Sequence, residues 1–403
     1  MSQERHPRIV TVSEEARTTP LELFFDLVFV FAFTQVTALM ADDPTGRGLI
    51  RGLLVLAVVW WCWVGFAWLG SVLQADEGLG RVAVFGAMAA VFVMALSVPE
   101  AFVDNHTGGL NGPVVIAFAY LAVRSLHLAI FWLAADGDAG LRRQLVRFAP
   151  SLVGGTAFLL IASQLDGTAQ TLAWVAALVA DYLGTILGGA AGWRLTAPGL
   201  FAERHGLIVI IALGESIVAI GVGVAHLPVS TPIVVASVLG LAVVGSLWWA
   251  YFDVVSLIAE RELRRLQGEA RTRLARDAYS YLHLPLIAGI VLLALGLEEV
   301  MAFVAGAHGH TWDDPLPTLK LAAMYAGVAV FLLGHVAFTY RAEHLIKWFR
   351  VVTALLVLAL IPVADQLSAL GALALLAAVM VAQIAIESMR FAEARERIRH
   401  EDA

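Results

Sequence analysis

A chain of 403 residues with 60% apolar side chains and a mean hydropathy of +0.81 is too apolar for a water-soluble domain, whose apolar share is nearer one half. Its 26 basic and 33 acidic residues leave a net charge of −7, which offers no cationic surface for nucleic acid. The single cysteine, Cys62, sits inside an apolar run, so an internal disulfide is excluded and thiol or zinc-cage chemistry is not expected.

The fold class that remains is an all-α polytopic membrane helical bundle of about 12 transmembrane helices. Residues 1–20 are polar and mixed in charge, and read as an N-terminal tail ahead of a retained anchor, not as a cleaved leader. Windows of about 20 apolar residues then predict spans at 21–40, 49–74, 81–103, 112–135, 147–164, 170–193, 205–226, 229–256, 278–303, 317–340, 345–363 and 366–388. Residues 389–403 read as a C-terminal tail. The longest connection, Ile258 to Asp277, pairs Glu260 with Arg264 and Glu269 with Arg273 at helical spacing. It lines Leu263, Leu266, Ala270 and Leu274 on one face, which predicts an amphipathic surface helix continuing the eighth span.

The basic residues orient this scheme. Twenty-one of them, including Arg142, Arg143, Arg147, Arg194, Arg204 and six arginines between 261 and 276, fall on the side of the two tails, against Arg47 and Arg51 opposite. By the positive-inside rule both termini are expected in the cytoplasm and the protein in the inner (plasma) membrane, with membrane lipid as its surroundings.

The two halves, 21–194 and 195–388, echo each other. Trp60-Trp61-Cys62-Trp63 answers Trp248-Trp249-Ala250-Tyr251, the end of the third span (Ser97-Val98-Pro99-Glu100) answers that of the ninth (Gly296-Leu297-Glu298-Glu299), and His127 answers His335. Six spans per half make this a parallel repeat, with a candidate site where spans 1 and 7 face each other.

Polar residues inside such spans need a reason. Asp26 reads either as an interfacial carboxylate bonding a neighbouring helix or as part of a path for a small cation or proton; Gln35 and Glu215 lie deeper in spans 1 and 7. Arg124 and His127 share a face of span 4, and Asp181 is central in span 6. They predict either a buried salt bridge from Arg124 to Asp181 or Glu215, or a proton relay through His127 that His335 would share. Glu100, Glu298 and Glu299 read as an outer vestibule for cations or as ordinary interfacial acids. The external residues His308, His310, Asp313 and Asp314 have no defined metal-site spacing, and no metal or cofactor is expected. Gly188 and Gly192 suggest a small-residue helix contact, and the tryptophans read as packing. No catalytic constellation is visible, so an enzyme is not expected.

The run Pro20-Leu21-Glu22-Leu23-Phe24-Phe25-Asp26-Leu27-Val28-Phe29-Val30-Phe31-Ala32-Phe33-Thr34-Gln35, with Glu203-Arg204-His205-Gly206-Leu207-Ile208-Val209-Ile210-Ile211-Ala212-Leu213-Gly214-Glu215-Ser216, resembles the bacterial low temperature requirement protein A family over nearly the whole chain. The resemblance implies a polytopic inner-membrane protein linked to growth in the cold, and carries no biochemical activity. Where the family pattern often has a His three residues before the Glu-Arg pair, this chain has Leu200. Phe24-Phe25-Asp26-Leu27-Val28-Phe29 is also similar, at motif level, to the opening helix of the endolysosomal potassium channel family, with Phe25 in place of a Ser. That likeness implies a pore lined by the first helix of each repeat and gated by bulky apolar side chains. The expectation is a transporter or channel for a small cation or proton; the alternative is a non-transporting sensor or lipid-interacting protein in cold adaptation.

Overall fold

The computed structural model describes residues 11–103, 109–224, 228–306 and 309–390. The remainder of both expected tails, and His308, lie outside the described residues. Those described are overwhelmingly helical: α1 (Pro20–Asp42), α2 (Gly46–Gly70), α3 (Gly78–Leu96), α4 (Gly112–Ala134), α5 (Ala139–Ala162), α6 (Gly167–Gly188), α7 (Pro198–Val222), α8 (Thr231–Phe252), α9 (Val255–Arg265), α10 (Gly268–Leu274), α11 (His283–Val304), α12 (Thr318–Glu343), α13 (Trp348–Ala359), α14 (Ile361–Ala364) and α15 (Ala369–Arg390). Contacts divide them into two compact units. The first takes residues up to 39, 50–204 and 263–276; the second takes 40–49, 205–262 and 277 onward.

Local chemistry sets the helix starts. Thr19 and Glu22 form a reciprocal capping box at α1: Glu22 N donates to Thr19 Oγ1 at 3.3 Å and Thr19 N donates to Glu22 Oε2 at 3.0 Å, with Pro20 as the first helical residue. Asn111 caps α4, Asp138 caps α5 and Ser230 caps α8, each by accepting backbone N–H groups of the first turn.

Eleven helical runs among the described residues are long and apolar enough to cross a bilayer, with α8 running on into α9 and α10 into α11. The twelfth expected span, 345–363, is different. It is α13 followed by α14, and from Trp348 to Ala364 it would reach only about 26 Å, less than a hydrocarbon core of about 30 Å. Pro362 is the cause: its missing N–H and its ring cannot continue the ladder of α13, so the helix resets at Leu360. The segment nonetheless runs back along the length of α15. At the start of α13, Arg350 pairs with Glu387 near the end of α15, whereas the start of α15 is held at the other end of the unit by Ala369 N donating to Asp314 O in the α11–α12 connection.

The same logic orders the first unit. The start of α1 lies with the end of α2 and the start of α7, through Val12 N to Val72 O and Ala197 N to Ser71 O. Arg51, near the start of α2, donates instead to Gly167 O and Thr171 Oγ1 at the start of α6, so Arg51 is a helix-end anchor and not a loop charge.

Two further expectations are corrected. The 258–277 connection is not one amphipathic helix: it breaks between α9 and α10, where Gly268 adopts φ +56°, and continues through a π-helical turn, Ala275–Tyr281. Leu263 and Leu274 of the expected stripe are buried, Ala270 is exposed, and Glu269 and Arg273 do form their ion pair. Gly188 and Gly192 do both approach α5, where a Cβ would lie 3.3 Å from Gln144 Nε2 and 3.0 Å from Gly140 O, but they do not share one helix. Helix α6 ends at Gly188, Gly189 and Gly192 have φ of +71° and +89°, and Gln144 Nε2 caps the end by donating to the carbonyls of Gly188 and Gly189.

Close helix approach occurs elsewhere, chiefly between α11 and α12. A Cβ on Gly289 would meet Gly327 O at 2.5 Å and one on Gly327 would meet Gly289 O at 2.6 Å; Gly296 and Gly334, each seven residues on, sit as tightly against Met324 and Pro285. This seven-residue spacing keeps the small residues on one seam. The repeat-related tryptophans have opposite environments: Trp60 and Trp61 are buried, while Trp248 and Trp249 are more than 40% exposed. On α1, Phe25, Phe29 and Phe33 form a buried stripe, and Phe24 faces outward.

Candidate functional site

In the first unit the start of α1 faces the start of α7 across a buried charge cluster. Arg204 of α7 is 2% exposed and donates from Nη2 to Asp26 Oδ1 at 3.0 Å, from Nη1 to Glu22 Oε1 at 3.4 Å and from Nη1 to Phe66 O at 3.0 Å. Trp63 Nε1 donates to the same Asp26 oxygen at 2.8 Å, and Asp26 Oδ2 has no partner. The guanidinium also lies within 6.0 Å of the Phe25 and Trp63 rings. Gly70, the last residue of α2, makes room for the cluster: a Cβ there would lie 2.5 Å from Glu22 Oε1 and 2.9 Å from Arg204 Nη1. Beside it is a cavity of about 10 Å³, lined by Glu22 and Arg204 and otherwise by apolar groups such as Phe25, Phe66, Val84 and Ile130. That is room for a single water.

Arg204 therefore leaves the tally of loop charges that oriented the chain, because it is helical and buried. One arginine of twenty-one is removed and the asymmetry stays. Sequence reasoning overlooked Arg204, Glu22 and Trp63 as partners of Asp26. The Thr19-Pro20-Leu21-Glu22 capping signature and the Glu-Arg step at the start of span 7 were the legible signals.

A second cluster in this unit joins residues that the sequence singled out. Arg124 Nη2 of α4 meets Asp181 Oδ1 of α6 at 3.3 Å, both side chains at most 3% exposed. His127, one turn on, is buried among Phe66, Phe131 and Phe148, and neither ring nitrogen has a hydrogen-bond partner. Gly65 of α2 lets both approach: its Cβ would lie 3.3 Å from Arg124 Nη1 and 3.4 Å from His127.

The second unit has a counterpart of different wiring. Arg350 of α13 grips Glu387 of α15 with both arms of its fork, Nε to Oε1 at 3.0 Å and Nη2 to Oε2 at 2.9 Å. Its Nη1 donates to Ala250 O at 3.0 Å and to His335 Nδ1 at 2.7 Å. His335 touches an arginine directly, whereas neither ring nitrogen of His127 has a hydrogen-bond partner. Nearby, His283 Nδ1 lies 3.1 Å from Ala278 O and its Nε2 lies 2.8 Å from the Tyr251 hydroxyl. A carbonyl can only accept, so Nδ1 carries the hydrogen and, in the neutral ring, Tyr251 donates to Nε2. Ala278 belongs to the π-helical turn, whose wider winding frees carbonyls for such side-chain donors. His205 packs its ring against Tyr279 and His283. Among the described residues no group of three or more His, Cys, Asp or Glu is placed to hold a metal ion.

Gln35 is half-buried on α1, nine residues or about 13 Å of helix beyond Asp26. Glu215 is buried in the second unit on α7, beside Ser216, whose hydroxyl donates to Ile290 O at 3.4 Å. Glu299 is neutralised by Lys320 at 2.7 Å, with half-buried Glu298 next to it. Glu100 is half-buried against Gly112 in the first unit.

Comparison with known proteins agrees with the sequence reading. The chain is 28% identical over 334 residues to an uncharacterized protein, RA0937, of Rhizobium meliloti (strain 1021), covering 80% of this chain and 77% of that one. No solved structure matches. The model of the Bacterial low temperature requirement A protein (LtrA) family matches residues 17–385, a range that contains the Glu22–Asp26–Arg204 and Arg124–Asp181 clusters and stops just short of Glu387, and the chain belongs to that family of integral membrane proteins.

Proposed function

We propose that this protein is a transporter for a small cation or proton, that the cluster of Glu22, Asp26 and Arg204 is its ion site, and that it does no enzymatic chemistry. One observation carries the reading: two buried carboxylates share a single arginine. With all three ionised, the cluster keeps one uncompensated negative charge between helices, and an unpaired buried charge costs several kcal/mol. The site is therefore complete only with one more positive charge, which is what a membrane protein that binds and releases a small cation needs. The neighbouring cavity has room for one water, a volume that suits a carrier that rearranges better than an open channel. The proposed setting is the inner membrane, in contact with lipid, with the tails and the arginine-rich connection in the cytoplasm, as the excess of basic residues on that side suggests.

The second reading is a membrane sensor or lipid-interacting protein in cold adaptation, and the neutral pairs Arg124–Asp181 and Arg350–Glu387 favour it, since such pairs also serve only to set helix register. Flux of H⁺, Na⁺ and K⁺ into liposomes containing the purified protein separates the two. Transport above empty vesicles that is lost in Asp26→Asn and retained in Glu298→Gln is expected; flux equal to empty vesicles for all three ions would leave the sensor.

A further inference from the structure

Resting on the reading just given, we infer that the ion taken by this site is a proton, and that Asp26 Oδ2 is the atom that carries it. The donors around the two carboxylates are unequally spread. Glu22 receives Arg204 at Oε1 and both Thr19 N and Thr19 Oγ1 at Oε2, at 3.0 and 3.2 Å, so each of its oxygens is satisfied as an ionised acceptor. Asp26 receives Trp63 and Arg204 at Oδ1 alone, and Oδ2 is fully buried without a donor. A bare charged oxygen in that position is the costliest arrangement, while a neutral carboxyl with its carbonyl at Oδ1 and its O–H at Oδ2 keeps both existing hydrogen bonds and removes the surplus charge.

The surroundings argue against a metal cation. Sodium, potassium or calcium would need about six oxygen ligands. The cavity presents one carboxylate, that of Glu22, with a guanidinium of the wrong sign opposite and apolar walls from Phe25, Phe66, Leu69, Val84 and Ile130. The charged groups acting on Asp26 are Glu22 from its own helix and Arg204 from α7; the elements that complete the wall, α2, α3 and α4, contribute Trp63, Gly70, Gly80 and Ile130, none of them charged. Binding forms one O–H bond at Oδ2 with a proton taken from water, and release breaks it and returns the proton to water on the other side. Arg204 stays paired with Glu22 throughout.

Two measurements on the full-length protein test this. The infrared carbonyl band of protonated carboxyls is followed through an acid-to-alkaline titration in native protein, Asp26→Asn and Asp26→Glu. Proton, Na⁺ and K⁺ fluxes are measured in parallel in liposomes. A native band that Asp26→Asn removes and Asp26→Glu keeps, with proton flux and no Na⁺ or K⁺ flux, is expected. An identical band in native and Asp26→Asn protein overturns the inference, as does Asp26-dependent Na⁺ or K⁺ flux without proton movement, which would leave the transport reading standing. The expected band with no flux of any ion would refute transport and uphold the proton on Asp26.

Discussion

Gly70→Ala is the sharpest probe of the buried cluster, because helix propensity and packing predict opposite signs for it. Gly70 is helical and its φ is not in the left-handed region, so propensity alone would reward alanine by up to about 1 kcal/mol. The new methyl, however, would stand 2.5 Å from Glu22 Oε1 and 2.9 Å from Arg204 Nη1. Ordinary contact lies near 3.5 Å, so Oε1 must retreat by about 1 Å. It has little freedom to do so: Oε2 is held by Thr19 and the carboxylate is buried. The 3.4 Å arm of the ion pair breaks, at a cost of about 1.5 to 3 kcal/mol for a charge-assisted bond whose partners stay buried. Arg204 keeps Asp26 and Phe66 O, so the net destabilisation is expected at about 1 to 2 kcal/mol. Unfolding of detergent-solubilised protein, followed by tryptophan fluorescence, measures it in a cycle with Glu22→Ala. In that background the nearer obstacle is gone and only the Arg204 Nη1 contact at 2.9 Å is left to relax, so Gly70→Ala costs less, giving a coupling of about 1 kcal/mol. Equal effects in both backgrounds, or a stabilised single variant, would refute the steric argument.

Other perturbations follow from the same coordinates and the same unfolding assay. Arg350→Ala leaves the half-buried Glu387 unpaired and should cost about 1.5 to 3 kcal/mol, whereas replacing both partners by methionine should cost less, the difference measuring the stranded charge. Gly327→Ala drives a methyl into Gly289 O and should destabilise the α11–α12 seam by about 1 to 3 kcal/mol, while alanine at the open Gly245 should do no harm. Tyr251→Phe keeps the ring and removes the donor to His283; a loss of about 1 kcal/mol is expected, and an unchanged unfolding midpoint would dismiss that bond.

Hydropathy, a local property, was enough to place the helices, because a bilayer demands about 20 apolar residues per crossing whatever the packing. The capping residues Thr19, Asn111, Asp138 and Ser230 are likewise legible, since their partners lie within one turn. The Pro362 break also lay in plain view, although an apolarity window does not register a missing N–H. What the chain by itself could not say is which charges meet. Arg124 had two candidate acids, and folding chose Asp181, 57 residues away. Arg204 looked like a cytoplasmic loop charge until the helix that begins at Pro198 carried it inward to Asp26, 178 residues distant. Arg350 reached Glu387, 37 residues on, from one helix to another. Helix formation depends on neighbours along the chain and on the solvent around it; ion pairing depends on which faces turn toward one another, and only the packed helices decide that.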